Sequence, residues 1–133
     1  MVSLKVFEAA YCDIFYDDDE KVLYAKWNGF LKPDEVRAGC QAMTKFIEKN
    51  KIKYHVSDHT NLKVLSKEVQ DYLTKQWFSE VESIGLEKIA ALVSANAFAK
   101  ATVDKVNTEA QIGTMKICTF ARQQDCLNWF KEN

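Results

Sequence analysis

The spacing of apolar positions along the chain switches repeatedly between a strand period and a helix period. Short runs rich in β-favouring residues predict strands over Tyr11–Tyr16, Val22–Trp27 and Ile52–Ser57. The nearly continuous apolar run KIAALVS over 88–94 predicts a strand covered on both faces, and the run over 115–120 predicts the last strand.

Helical spacing fills the intervals between these runs. Pro33, followed by two acidic residues, predicts a helix start, and a second helix is predicted from Ser66, whose hydroxyl suits an N-cap, to Gly85. A third helix is expected after Asn96, and a terminal helix over 122–131. The predicted buried positions are Val36, Cys40, Met43 and Ile47 in the first helix, Val69, Leu73, Trp77 and Val81 in the second, Ala99, Val103 and Val106 in the third, and Cys126, Leu127 and Phe130 in the last.

The resulting order, β-β-α-β-α-β-α-β-α, predicts an α/β fold. Strands that alternate with helices favour right-handed crossovers and a parallel sheet. We therefore expect one domain over residues 1–133. It should contain a mixed five-stranded sheet, with an antiparallel N-terminal hairpin and parallel central strands, packed by four helices.

Composition narrows the function classes. The net charge of −1 over 133 residues does not favour a nucleic-acid partner. The N-terminus lacks the pattern of a signal peptide, and no apolar run approaches the ~20 residues of a membrane span. A cytoplasmic location is therefore expected, where Cys12, Cys40, Cys118 and Cys126 should be reduced, buried and free of metal.

No recognisable catalytic or metal-binding motif is present, so we expect a protein that is not an enzyme and has no cofactor or metal. The glycines form no nucleophile elbow, P-loop or dinucleotide motif, and Ser66 is interpreted as a helix cap rather than a nucleophile. The two histidines are interpreted as a packed His55 and a solvated His59. In the pair Trp77-Phe78, one ring is expected to border a cleft or an interface.

The most informative stretch runs over 54–78, where a strand is expected to leave the sheet at Asp58. Sites in α/β folds form in loops after the carboxyl ends of strands. We therefore expect any functional surface where a 58–65 loop meets the turn Trp27–Leu31 and the start of the second helix. Asp58 would be a polar anchor and Trp27 an apolar wall. In the alternative, Asp58 only satisfies loop amides.

Several segments resemble SpoIIAA-like proteins common in Bacteroidetes, which are relatives of STAS domains and, more remotely, of CRAL-TRIO lipid-binding domains. The segments are YAKWNGF (24–30), SDHTNLKVLSKEVQDYLTKQWF (57–78), GLEKIAALV (85–93) and TFARQQDCLNWF (119–130). The matching positions are Trp27, Gly29, Phe30, Asp58, Ser66, Glu68, Gln70, Trp77 and Phe78. The resemblance spans residues 11–131 and implies a mixed sheet covered by helices.

The resemblance implies a regulatory or protein-interaction module related to anti-sigma factor antagonists, although the phosphoserine switch motif D-S-[ST]-G is missing. The alternative is a small-molecule or lipid-binding module. The implied partners are a protein, a second copy of the chain or a small apolar ligand. The candidate binding residues are Trp27, Asp58, Ser66, Gln70 and Trp77. A deep apolar pocket beside the two tryptophans would favour a ligand, and a flat exposed apolar patch would favour a partner.

Overall fold

The structure is a computed structural model that describes residues 3–94, 106 and 113–132. Six strands form one mixed sheet whose spatial order follows the chain. The first three strands are antiparallel, and the third to the sixth are parallel. The strands are β1 (Ser3–Ala9), β2 (Cys12–Asp17), β3 (Val22–Phe30), β4 (Tyr54–Val64), β5 (Lys88–Leu92) and β6 (Lys116–Phe120).

The mixed α/β sheet is confirmed, but the predicted count of five strands is wrong because β1 was missed. This strand pairs with β2 along one edge of the sheet. Its register shifts between Lys5 and Phe7, so Val6 is an extra residue that interrupts the alternation of side chains. An interrupted period weakens the pattern from which strands are recognised.

The predicted 58–65 loop is also wrong, because β4 continues through it to Val64. Pairing with β5 ends at Asp58, and beyond that point, within the described part of the chain, β4 pairs only with the end of β3. In this extension, β4 has no strand partner on the β5 side among the described residues, and polar residues such as Thr60 and Asn61 are exposed. Their polarity made this part of the strand read as a loop.

The described residues contain three continuous helical segments rather than the four helices expected. The expected helix after Asn96 lies outside the described residues, apart from Val106, which is helical and buried. The first segment is α1 (Pro33–Asn50). The second joins α2 (Lys67–Tyr72), a π-helical turn (Leu73–Trp77) and α3 (Phe78–Ser83), and the third is α4 (Gln123–Phe130).

Helix α1 begins at Pro33, as its sequence predicts. The Glu35 carboxylate accepts a hydrogen bond from the Lys32 backbone N–H at 2.9 Å, and Pro33 occupies the first turn. Lys51 adopts a left-handed conformation and ends the helix. The predicted stripe of Val36, Cys40, Met43 and Ile47 is buried.

The second helix contains a π-helical turn at the point where it buries both Trp77 and Phe78. A stripe with strict spacing of four drifts around an α-helix by ~40° at each repeat. The wider turn, in which the Phe78 N–H donates to the Leu73 carbonyl, inserts an extra residue and restores the phase. Trp77 is 3% exposed and Phe78 is 5% exposed. Both rings are therefore buried, although neighbouring helical residues differ by ~100° in direction.

The core is divided by the sheet into two clusters. The larger cluster lies under α1 and α2–α3, and we call this side the cavity face. The smaller cluster lies under α4, and we call this side the α4 face. Residues of each strand alternate between the faces, so Ala91 belongs to the cavity face and Ala90 to the α4 face.

Candidate functional site

The larger core encloses a cavity of about 40 Å³ between the sheet and the helices above it, which we call the central cavity. Its lining is mostly aliphatic and aromatic, and Ser57 and His59 are the polar side chains that line it in the described part of the chain. The lining residues are Trp27, Leu31, Val36, Cys40, Met43, Ser57, His59, Leu62, Leu65, Val69, Leu73, Trp77, Phe78, Ile89, Ala91 and Val106.

Trp27 forms one wall of the central cavity, and Gly39 makes room for it. The indole lies against α1 so closely that a Cβ at position 39 would stand 2.8 Å from its ring. A glycine is therefore needed at this point of the helix, even though glycine lowers helix propensity. The close approach fixes the distance between β3 and α1 beside the cavity.

Trp77 forms a second wall and is held at a defined orientation. Its Nε1–H lies 3.2 Å from the Cys40 carbonyl and 3.1 Å from the Thr44 hydroxyl. Its ring also meets the His55 imidazole edge-on, with the ring centroids 6.0 Å apart. The indole N–H is therefore satisfied within the core, and only the apolar part of the ring is left for the cavity.

A register shift in β4 brings its polar and apolar lining residues to one face. Lys26 of β3 is opposite Asp58, but Asn28 is opposite Asn61, so β4 carries one extra residue between these pairs. Ser57 and His59 share a face because they are two residues apart. Leu62 is three residues beyond His59 and would face away in a regular strand. The extra residue returns it to the cavity.

Ser57 and His59 form a hydrogen-bonded pair at the cavity wall. The Ser57 Oγ and the His59 Nε2 are 2.6 Å apart. The other ring nitrogen of His59, Nδ1, is buried and has no partner among the described residues. The pair therefore has hydrogen-bonding capacity that the described part of the protein does not use.

Burial keeps both histidines neutral at physiological pH. Burial lowers the pKa of His55 to about 4, although the hydrogen bond between its Nδ1 and the Leu23 carbonyl at 2.8 Å opposes the shift. Burial likewise lowers the pKa of His59 to about 4, against the attraction of Asp58. His55 is packed, as predicted, whereas His59, which was predicted to be solvated, is half-buried and lines the cavity.

The structure brings together only part of the predicted set of binding residues. Trp27 and Trp77 meet at the central cavity, which also contacts Phe78. Both rings of the Trp77-Phe78 pair therefore border the cavity, where one had been expected to border a cleft. Asp58, Ser66 and Gln70 do not line it.

Asp58 and Ser66 make local contacts instead. The Asp58 carboxylate accepts hydrogen bonds from the Thr60 backbone N–H at 2.9 Å and from the Thr60 hydroxyl at 2.7 Å. This is the alternative in which Asp58 satisfies nearby amides. The Ser66 hydroxyl accepts from the Val69 N–H at 3.3 Å, so the predicted N-cap is confirmed.

Gln70 ties the start of α2 to the strand that precedes it. Its side-chain amide donates to the Leu65 carbonyl at 2.9 Å. Its Oε1 is buried and, like His59 Nδ1, has no partner among the described residues. Gln70 does not line the cavity, although Leu65 and Val69, which are close to it in sequence, do.

Ser57 and His59 were missed as site residues because their signal depends on the extent of β4. In a strand that ends at residue 57, His59 falls outside the sheet and its spacing from Ser57 has no meaning. In a strand that continues to Val64, serine and histidine two residues apart share one face. The spacing of Ser57 and His59 can therefore be interpreted only when β4 is known to extend to Val64.

All four cysteines are free. Cys12, Cys40 and Cys126 are buried as predicted, but Cys118 is exposed, which corrects that prediction. Cys118 lies in the last strand of the sheet, where neighbouring positions alternate in exposure. Burial raises the pKa of the Cys12 thiol to about 12, that of Cys126 to about 11, and that of the cavity-lining Cys40 well above its usual range.

Residues 3–94, 106 and 113–132 lack both a metal-binding cluster and a membrane-spanning helix. In that part of the chain, no group of three or more His, Cys, Asp or Glu side chains could hold a metal ion. Over the same residues, no helix has the length and apolar character needed to cross a membrane.

Comparison with known proteins identifies the fold. No protein-family model matches the chain, and no curated protein matches it. The chain is similar to the crystal structure of an uncharacterised protein of the DUF3478 family with a SpoIIAA-like fold from Shewanella loihica PV-4. The TM-score is 0.59 at 16% identity, over 96% of this chain and 92% of that chain. The chain therefore has a SpoIIAA-like fold, as its sequence resemblance implied.

Proposed function

We propose that this chain is a non-catalytic binding module that takes a small, largely apolar ligand into the central cavity. The observation that carries the proposal is the enclosed apolar space beside Trp27 and Trp77. Small-molecule sites are typically concave and mostly apolar, with a few polar groups that orient the ligand. The lining has this composition, with the Ser57–His59 pair as its polar element.

The size of the cavity limits the ligand. At about 40 Å³, it is much smaller than an engineered cavity of ~150 Å³ that admits benzene. A ligand of a few non-hydrogen atoms fits with little rearrangement. Met43 and Leu73 lie in the wall, and the flexible Met43 side chain can adapt to a larger apolar group.

The Ser57–His59 pair supports binding better than catalysis. A serine nucleophile needs a base that takes its proton near neutral pH, and the base itself needs an orienting partner. A pKa of about 4 makes His59 a weak base, and its Nδ1 lacks a carboxylate partner among the described residues. These observations favour a hydrogen-bonding role for the pair.

A regulatory or protein-interaction role, with a protein partner or a second copy of the chain, is the second candidate. Phe30 favours it, because this side chain is 74% exposed at the end of β3. The other large exposed apolar residue among those described, Leu4, lies at the opposite end of the sheet, so the two do not form one patch.

The four free cysteines fit a reducing compartment and support the expected cytoplasmic location.

A titration with 1-propanol, followed by methyl NMR, tests the proposed function. We expect saturable shifts at methyl groups that line the cavity, such as those of Leu62, Val69 and Leu73. Ala91→Val adds bulk to the cavity wall and should abolish saturation. The matched control is Ala90→Val, which adds the same bulk on the α4 face of the same strand and should leave binding intact.

Two outcomes would contradict the proposal. In the first, the cavity methyls shift only linearly with 1-propanol concentration, as in non-specific solvent effects. In the second, both valine variants bind 1-propanol as wild type does.

Phe30→Ser tests the second candidate, a protein-interaction role, in the same preparation. A change in sedimentation coefficient or a lost partner would assign interaction to the end of β3.

A further inference from the structure

The polar end of the central cavity is kept open by small neighbouring residues. In the sheet register, Ser57 of β4 is opposite Ala25 of β3 on one side and Ala91 of β5 on the other. All three belong to the cavity face, and Ala91 lines the cavity with Ser57. Larger side chains at either position would cover the serine hydroxyl. The two alanines therefore leave it accessible from the enclosed space.

The Ser57–His59 pair offers one unused donor and one unused acceptor whichever way its proton points. When the Ser57 hydroxyl donates to His59 Nε2, the histidine carries its proton on Nδ1, and the serine oxygen can still accept. When His59 Nε2–H donates instead, the serine O–H is free to donate and Nδ1 can accept. A ligand group that donates or accepts a hydrogen bond can therefore be satisfied in either state.

The same site offers no compensation for a charged group. None of the described residues that line the cavity is a lysine, arginine, aspartate or glutamate. Both histidines near the site are neutral at physiological pH, because burial lowers the pKa of each to about 4. Transfer of an unpaired charge into such a space is far more costly than transfer of a hydroxyl or an amide that finds a partner.

From this arrangement we infer that the central cavity selects an uncharged ligand with one hydrogen-bonding group, such as a small alcohol or amide. The Ser57–His59 pair binds that group, while the walls contact the apolar part. The inference rests on the proposed function and specifies its ligand class. It excludes carboxylates and amines that are ionised at neutral pH.

A matched set of small probes tests the ligand class at pH 7.5. The probes are 1-propanol, propanoate, propylammonium and xenon, each titrated into wild-type protein and followed at the cavity methyls. We expect saturation with 1-propanol and with xenon, and no saturation with either ion at the concentration that saturates with 1-propanol. Saturation with propanoate or propylammonium at comparable concentration would overturn the inference while the proposed function stands. Failure of all four probes would instead refute the proposed function.

Ser57→Ala tests the role assigned to the pair. Loss of one hydrogen bond should weaken 1-propanol binding by about threefold to tenfold and leave xenon binding unchanged, because xenon makes no hydrogen bond. The control is Ser66→Ala, which removes a hydroxyl that does not line the cavity and should leave both probes unaffected. Unchanged 1-propanol affinity in Ser57→Ala, or an equal loss for both probes, would overturn the assignment.

Discussion

The two faces of the sheet are built from the same strands but are packed differently. On the α4 face, Tyr54 stacks on Phe130 with ring centroids 5.0 Å apart, and Phe15 stacks on Tyr24 at the same distance. The Lys88 ammonium donates to the Trp129 carbonyl at 2.8 Å and so holds the end of α4 on the sheet. On the cavity face, a space of about 40 Å³ remains between the layers, whereas the α4 face has a larger but more open cleft of about 250 Å³ between the end of α4 and the β2–β3 turn.

Buried polar atoms that lack a hydrogen-bond partner are also distributed unequally between the two faces. Among the described residues, the buried side-chain atoms without a hydrogen-bond partner are His55 Nε2, His59 Nδ1 and Gln70 Oε1. All three lie on the side of the sheet that holds the central cavity. The π-helical turn lies there too. Departures from dense packing and full hydrogen bonding are expected to concentrate at functional sites, so the comparison favours the cavity face as the functional one.

Truncation of the tryptophan on each face should give the largest contrast. Trp77→Ala removes a buried ring and leaves the Thr44 hydroxyl without the indole, so it should lower the free energy of unfolding by about 3–5 kcal/mol. Trp129→Ala on the α4 face removes a partly exposed ring and should cost less than half as much. Urea denaturation of both variants measures the difference. Equal losses would contradict the assignment of Trp77 as a fixed wall.

Acid should destabilise the cavity face through its histidines, the only two in the chain. The folded pKa of His55 is lowered from 6.5 to about 4, so its contribution to stability is complete above pH 6.5 and is lost as the pH falls towards 4. The loss from His55 alone is about 3 kcal/mol. His55→Gln should therefore show a smaller fall in stability between pH 7 and pH 4 than wild type. Parallel curves for the two proteins would show that His55 does not remain neutral in the fold.

Neighbouring alanines in β5 provide a test of packing without any ligand. Ala90→Val inserts bulk on the α4 face at a position that is fully buried, and should destabilise the protein by about 1–3 kcal/mol. Ala91→Val places the same bulk against the central cavity and should cost less than about 1 kcal/mol. Thermal or urea unfolding measures both. A larger cost at Ala91 than at Ala90 would mean that the space beside Ser57 is already filled.

A variant at the start of α2 separates the stability of the cavity face from its binding function. Ser66→Ala removes the N-cap of α2 and should lower the free energy of unfolding by about 1 kcal/mol. Urea denaturation provides the measurement. An unchanged stability together with loss of a bound partner would assign Ser66 to recognition and contradict its role as a cap.

The sequence predicted what depends on local patterns. The α1 stripe, the Ser66 cap and the buried run of β5 were all readable from spacing or turn chemistry. The fold class followed from the order of these elements. The edge strand β1 was missed because its extra residue at Val6 interrupts the alternation that identifies strands.

The polar part of the site depends on long-range pairing. Nothing local says that the polar run after Asp58 stays in the sheet, since its partner is the end of β3, more than thirty residues earlier in the chain. Only that pairing and its register shift bring Ser57, His59 and Leu62 to one face. The sequence offers Asp58 as a polar anchor because it follows the predicted end of a strand, but it lies on the opposite side of the strand from Ser57.

The most direct test of the central claim is a crystal structure of the protein under xenon pressure. Xenon occupies apolar cavities and its position can be read without assumptions about the ligand. We expect a xenon atom between Trp27, Trp77 and Leu62, and its loss in Ala91→Val but not in Ala90→Val. An empty central cavity at a pressure that fills other apolar sites would contradict the claim that the cavity face is built to bind a ligand.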